Sequence, residues 1–210
     1  LVIDYLQGNS LSDHLANLGG RMSEKAALDI MLPILAGLGE VHAKGFLHRD
    51  IKPQNIYITT SGRPILLDFG TARQSMGNRG MTTVITPGYA PWEQYHRHGK
   101  QGPWTDIYAC AATLYHLVTG MIPPEAAERV AQDDLLPPAQ AVPGVSSTFS
   151  AAIMRALSID PANRPQTITE FQNSLTGAVI TPPPIPQPPS LHLSQQPAYP
   201  SSAPAAWNQP

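Results

Sequence analysis

The sequence predicts an α+β fold that is mainly helical, with short β-hairpins and an extended tail. Three observations carry this. Apolar residues recur at helical spacing from Ala27 to Val41, and a denser apolar run over 107–119 reads as a buried helix. Two short β-type runs, 56–59 and 65–67, flank a Ser-Gly turn. From about residue 181 the composition shifts: ten of the 23 prolines fall in the last thirty residues, mixed with Ser, Gln and Ala.

Taken in order, Ser10 or Ser12 is positioned to cap a short helix that runs to Leu18 and stops at Gly19-Gly20. Ser23 is placed to cap the next helix, with Ala27, Leu28, Met31, Leu35, Leu38 and Val41 on its apolar face. Pro33 lies inside that helix and is expected to kink it or remove a hydrogen bond. The hairpin of 56–59 and 65–67 would bring Asn55 and Asp68 together at one end. Further helices are expected over 107–119, 147–157 and 167–175. There is no internal repeat. Residues 1–178 thus read as one folded domain.

Residues 179–210 read as a disordered, proline-rich linker, because such a stretch buries too little apolar surface to order itself. Its TPPPIPQPP segment has the PxxP spacing that SH3- or WW-type domains take up, although plain linker is the favoured reading.

The chain has 210 residues and a formal net charge of -2, so no global basic field invites nucleic acid. The one cysteine, Cys110, excludes an internal disulfide and fits a reducing, cytoplasmic compartment. It sits in an apolar helix, where packing is expected rather than reactivity. No apolar run looks long enough to span a bilayer, and no signal peptide opens the chain. The histidines, His96 and His98 among them, lack companion ligands at metal-binding spacing.

The chemistry concentrates in HRDIKPQN (48–55), followed thirteen residues after Asn55 by DFG (68–70). Asp50 is a carboxylate in a short polar loop, able to accept a proton from an alcohol. Lys52 can reach the same side and neutralise phosphate charge. Asn55 offers an amide oxygen and Asp68 a carboxylate, hard ligands that suit Mg²⁺. Phosphoryl transfer needs positioning and charge neutralisation more than covalent help, and these four side chains can supply both.

In these motifs the chain resembles the C-terminal lobe of protein kinases, specifically the eukaryotic-like Ser/Thr kinases of bacteria. HRDIKPQN resembles the catalytic loop and DFG the metal-binding motif. TPGYAPWEQY (86–95) resembles the end of an activation segment, although its PWE departs from the usual APE. TDIYACAATLYHLVTG (105–120) resembles the buried helix beneath the loop, and the opening LVIDYLQGNSL resembles the hinge. The likeness runs to about residue 175 and implies a protein kinase-like fold.

The resemblance also implies roles. Asp50 would be the base and Lys52 the phosphate-side cation, typical of Ser/Thr rather than Tyr kinases. Asn55 and Asp68 would hold Mg²⁺, and Thr86 would lie on the substrate side. The Asp4 carbonyl and Leu6 amide would pair with the adenine of ATP, with Tyr57 under the ring. Arg49 would gather a phosphorylated residue, for which Thr82 and Thr83 are the candidates. Glu93 would pair with Arg164, and Asp106 would accept hydrogen bonds from the loop backbone. His48 would pack and hydrogen-bond rather than titrate.

No glycine-rich phosphate loop or strand lysine stands in these 210 residues. The expectation is therefore a kinase lobe from the hinge onward, without its N-terminal lobe and inactive alone. In bacterial relatives such a linker joins the kinase to a membrane helix or sensor domain, so a membrane tether is a further expectation. The implied partner is a protein presenting Ser or Thr. The alternatives are a non-catalytic, pseudokinase-like scaffold and a small-molecule phosphotransferase; Lys52, TPGY and the Glu93/Arg164 pair favour a protein substrate.

Overall fold

A computed structural model of the chain describes residues 7–67, 73–74, 85–96 and 98–178. Asp4, Leu6, Asp68, Thr82, Thr83 and the 179–210 tail lie outside the described residues.

The first helix, α1 (Leu11–Asn17), is capped by Ser10, whose hydroxyl accepts the Asp13 N–H at 3.1 Å. Such a cap contributes about 1 kcal/mol relative to alanine. Of the two serines expected as caps, Ser10 takes the role. Preceding it is β1 (Gly8–Ser10).

Helix α2 (Glu24–Ala43) starts at Ser23, whose hydroxyl accepts the Ala26 N–H at 3.3 Å. Its buried stripe is Ala27, Met31, Ile34, Leu35 and Leu38. Pro33 is exposed, so its ring projects away from that stripe and the helix continues across it. The cost is one lost backbone bond to the carbonyl four residues back. One expectation needs correction: with 20 residues and a mean hydropathy of 1.4 over an 18-residue window, α2 is long and apolar enough by length and composition to cross a membrane. Charges dispersed along α2 interrupt any continuous apolar run, which is why the residues alone do not announce its length. In this fold α2 packs against the helix described next and against the last helix, as a core element does.

Helix α3 (Pro103–Thr119) is the axis of the core, buried without a break from Thr105 to Tyr115. It begins four residues before the predicted start because Thr105 and Asp106 are polar yet buried, and Pro103 occupies the first turn. Gly120 ends it in the left-handed conformation, φ 75°.

Two short helices follow that the sequence reading did not anticipate, α4 (Ala126–Ala131) and α5 (Pro138–Ala141). Then come α6 (Ser147–Ala156) and α7 (Ile168–Thr176), capped by Ser146 and Thr167. Glu24, at the start of α2, accepts from both the amide and hydroxyl of Ser146 at 2.7 and 2.8 Å, tying two helix N-termini together. Helices α2, α6 and α7 pack on α3.

The strands form two small sheets. β2 (Phe46–Leu47) pairs antiparallel with β5 (Arg73–Gln74). β3 (Ile56–Thr59) lies between β1 and β4 (Pro64–Leu66), antiparallel to both, with Tyr57 opposite Ser10 and Ile65. A Cβ on Gly8 would collide with the Ile58 carbonyl, so β1 can lie this close to β3 because residue 8 has no side chain.

Candidate active site

The loop after β2 is held from below. Arg49 has φ 71°, the one non-glycine residue at positive φ among those described. That conformation costs a non-glycine residue about 1–2 kcal/mol and persists where surrounding bonds enforce it. Asp106, fully buried in the first turn of α3, supplies them: its carboxylate accepts the His48 N–H at 2.8 Å and the Arg49 N–H at 2.7 Å. Gln94 donates to the Arg49 carbonyl at 2.9 Å.

A third contact on Asp106 comes from His42 Nε2, at 2.7 Å, near the end of α2. His42 Nδ1 is buried without a hydrogen-bond partner, which places the ring N–H on Nε2 facing the carboxylate. One turn on, burial and the Asp106 charge push the Cys110 thiol well up, so this cysteine is packing and not a nucleophile.

Above this floor sits Asp50, 8% exposed. Its Oδ1 accepts from the Thr86 hydroxyl at 2.8 Å, and its Oδ2 accepts from Asn55 Nδ2 at 2.8 Å. The Lys52 ammonium lies 2.8 Å from Oδ2 and 3.0 Å from Thr86 Oγ1. Burial alone would raise the Asp50 carboxyl. The bonds from Lys52, Thr86 and Asn55, with the Lys52 charge, outweigh it and hold the group below the usual carboxylate value. Asp50 is therefore an ionised acceptor at neutral pH, with a cation and a hydroxyl already at hydrogen-bond distance.

Asn55 closes the 3₁₀ turn Pro53–Asn55, and its Nδ2 also donates to the Asp50 carbonyl at 2.8 Å. With the nitrogen turned inward by two bonds, the amide oxygen is the end available to a cation. That is the hard donor Mg²⁺ takes, so Asn55 fits the ion the loop implies. The neighbour of the other implied ligand is also fixed: the Leu67 N–H donates to the Asn55 carbonyl at 2.8 Å, and His48 Nε2 meets the Leu67 carbonyl at 3.0 Å. Asp68 itself lies outside the described residues. Among those described, no cluster of three His, Cys, Asp or Glu could hold a metal.

The loop that carries Thr86 is anchored by a second, deeper group. Arg164 meets Glu93 through both terminal nitrogens, at 2.7 and 3.1 Å, with Arg164 fully buried. The remaining guanidinium donors go to the Ser158, Ile159 and Trp104 carbonyls at 2.7, 2.9 and 3.4 Å. Thr105 donates to Glu93 at 3.0 Å. The Tyr108 ring lies under the guanidinium, 4.9 Å to the centroid, and the Tyr108 hydroxyl accepts from Arg129 at 3.0 Å. Trp92, the departure in PWE, stacks on Tyr95 at 5.8 Å and meets His96 edge-on at 4.4 Å.

Of the expected site residues, Asp50, Lys52, Asn55 and Thr86 converge, and His48 is buried beside them with its Nδ1 3.4 Å from the Asp50 amide. Tyr57 stands on the half-buried central strand of its sheet. His42, Gln94, Tyr108 and Arg129 were not singled out from sequence. Arg129 and Asp133 are legible in retrospect as an i,i+4 pair, bonded at 2.8 and 2.9 Å. His42 carried no local signal, since its partner lies 64 residues away.

Comparison with known proteins agrees with this geometry. A family profile described as the protein kinase domain matches residues 1–175. The chain is 35% identical to the serine/threonine-protein kinase PknA of Nostoc sp. over 193 residues, covering 88% of this chain and 34% of that protein. It is 30% identical to the probable serine/threonine-protein kinase PknB of Bifidobacterium longum, covering 83% of this chain and 27% of that protein. The chain thus spans about a quarter to a third of the length of these relatives. Among solved structures, the apo form of PpkA-294 superposes with a TM-score of 0.71 at 34% identity, over 82% of this chain and 61% of that one.

Proposed function

This chain belongs to the protein kinase family, and from that premise we propose that it is the hinge-to-C-terminal part of a Ser/Thr protein kinase domain, moving the γ-phosphoryl of ATP to a protein Ser or Thr hydroxyl. The observation that supports it most is the Asp50 carboxylate bonded to a hydroxyl on one oxygen and to an ammonium and an amide on the other.

In this reading Asp50 orients the substrate alcohol and takes its proton, at the oxygen Thr86 now touches. Lys52, shared between Asp50 and Thr86, steadies the transferring phosphoryl. Asn55 and Asp68 are the residues that would hold Mg²⁺, which supplies charge neutralisation on the phosphates. Asp4, Leu6 and Tyr57 would receive the adenine, and Arg49 a phosphate on Thr82 or Thr83. Residues 1–178 are the lobe and 179–210 a linker; limited proteolysis confined to the last thirty residues would agree with that division.

The decisive experiment is ATP-dependent labelling of a Ser/Thr peptide mixture by the full-length protein, with and without Asp50→Asn. Loss of labelling in the variant supports the reading. Undiminished labelling refutes it, and an unmodified protein that labels nothing returns the choice to a scaffold.

A further inference from the structure

Tyr89 and His116 have no part in the transfer chemistry assigned above, yet they meet beside it. Tyr89 lies three residues after Thr86 in a tight turn, where the Tyr89 and Ala90 amides both donate to the Thr86 carbonyl, at 3.1 and 2.9 Å. Gly88 takes the left-handed position of that turn, φ 79°, and a Cβ there would strike the Ile122 side chain. The Tyr89 side chain is buried and borders a narrow recess with Arg49, Asp50, Ile51 and Thr86. Its hydroxyl stands 2.7 Å from Nδ1 of His116, on α3.

Burial pushes the Tyr89 phenol up to about 12 and pushes the His116 imidazole down from its ordinary 6.5, so the pair is a protonated phenol and a neutral imidazole. In the tautomer with its proton on Nε2, His116 Nδ1 accepts from the phenol.

We propose that the Tyr89–His116 hydrogen bond is a latch that seats the Thr86 turn against α3, making both side chains positioning residues for the Asp50 site. Thr86 Oγ1 reaches Asp50 at 2.8 Å only while its turn keeps this depth, and Tyr89 is the buried side chain that the turn drives inward. α3 then fixes both sides of the site. Asp106 holds the loop bearing the base, and His116, ten residues or about 15 Å further along the helix axis, holds the turn bearing the hydroxyl. The inference rests on the reading of Asp50 as the transfer base.

The test uses the full-length protein with Tyr89→Phe, His116→Leu, the two combined, and His116→Asn, whose Oδ1 falls near the Nδ1 position and still accepts. Amide hydrogen exchange at Tyr89 and Ala90 reports the latch without requiring activity, and kcat and KM for a Ser/Thr peptide report its effect. A single neutral hydrogen bond corresponds to about three- to tenfold. Tyr89→Phe and His116→Leu are each expected to raise exchange by that factor and to lower kcat similarly, with KM for ATP unmoved. The combined variant should be no worse than the worse single one, and His116→Asn should recover most of the loss. Unchanged exchange, additive losses, or faster exchange with undiminished kcat would each overturn the latch. If the unmodified protein transfers no phosphate, the assignment of Asp50 falls by itself, and exchange still decides whether the latch exists.

Discussion

Two polar groups, around Arg164 and around Asp50, are built to opposite ends. Around Arg164, nearly every donor and acceptor is used: both Glu93 oxygens, three backbone carbonyls, the Thr105 hydroxyl and the Tyr108 face surround a guanidinium with no exposed surface. Around Asp50, the contacts include a hydroxyl and an ammonium that also bond each other, with the Lys52 side chain still 19% exposed. The first group is closed and can only hold. The second can exchange one hydroxyl for another, as a reaction at Asp50 requires. A buried ion pair is poor evidence of net stability, yet leaving half of it behind is costly. A carboxylate with exchangeable partners shows the reverse profile, cheap to neutralise for folding and expensive for chemistry.

The contrast can be broken at its ends. Asp50→Asn in the full-length protein should reduce turnover by about two to four decades, the range for removing a general base. A melting curve on the same variant should move little. Arg164→Ala should do the converse, costing about 3–5 kcal/mol by stranding the Glu93 carboxylate in the interior; urea unfolding measures it. Replacing both partners by Met and Gln should recover part of that loss, because no unpaired charge then remains.

Two smaller effects sharpen it. His42→Phe keeps the ring but removes the N–H that faces Asp106, a charged-acceptor bond worth about 1.5–3 kcal/mol. His42→Gln, which can present an N–H at the Nε2 position, should restore part of it, read by unfolding and by amide exchange at His48 and Arg49. The smallest effect is acid sensitivity. The Asp50 carboxyl is depressed in the folded state, so its contribution to stability is fully present above the ordinary carboxylate value near about 3.9. It is lost as pH falls through the lower folded value. The stability gap between the unmodified protein and Asp50→Asn should therefore stay flat at neutral pH and change only in that acid window, by pH-dependent thermal melts.

What sequence could disclose follows the range of the interactions. Helix caps at Ser10 and Ser23 and the apolar run of α3 are local, and the residues announce them. The strand 56–59 is also local, and β4 starts one residue early, at Pro64, because an edge strand tolerates a proline. α4 and α5, six and four residues long, are too short for a helical period to emerge. The pairing of β1 with β3 joins segments nearly fifty residues apart, and no turn signal connects them. The same holds in the site. Asp50, Lys52 and Asn55 are legible because they share one loop, and Thr86 through the motif it opens. His42 and Gln94 serve partners far along the chain and are visible only once α3 is in place.

The left-handed turn at Arg49 makes the last point concrete. The carboxylate that stabilises it comes from 57 residues downstream. A peptide cut to residues 42–67 would contain the entire loop motif and the hairpin after it, yet its backbone at Arg49 would relax to an ordinary conformation and Asp50 would point elsewhere. The motif letters are portable between molecules, whereas the shape that gives them chemistry is on loan from α3.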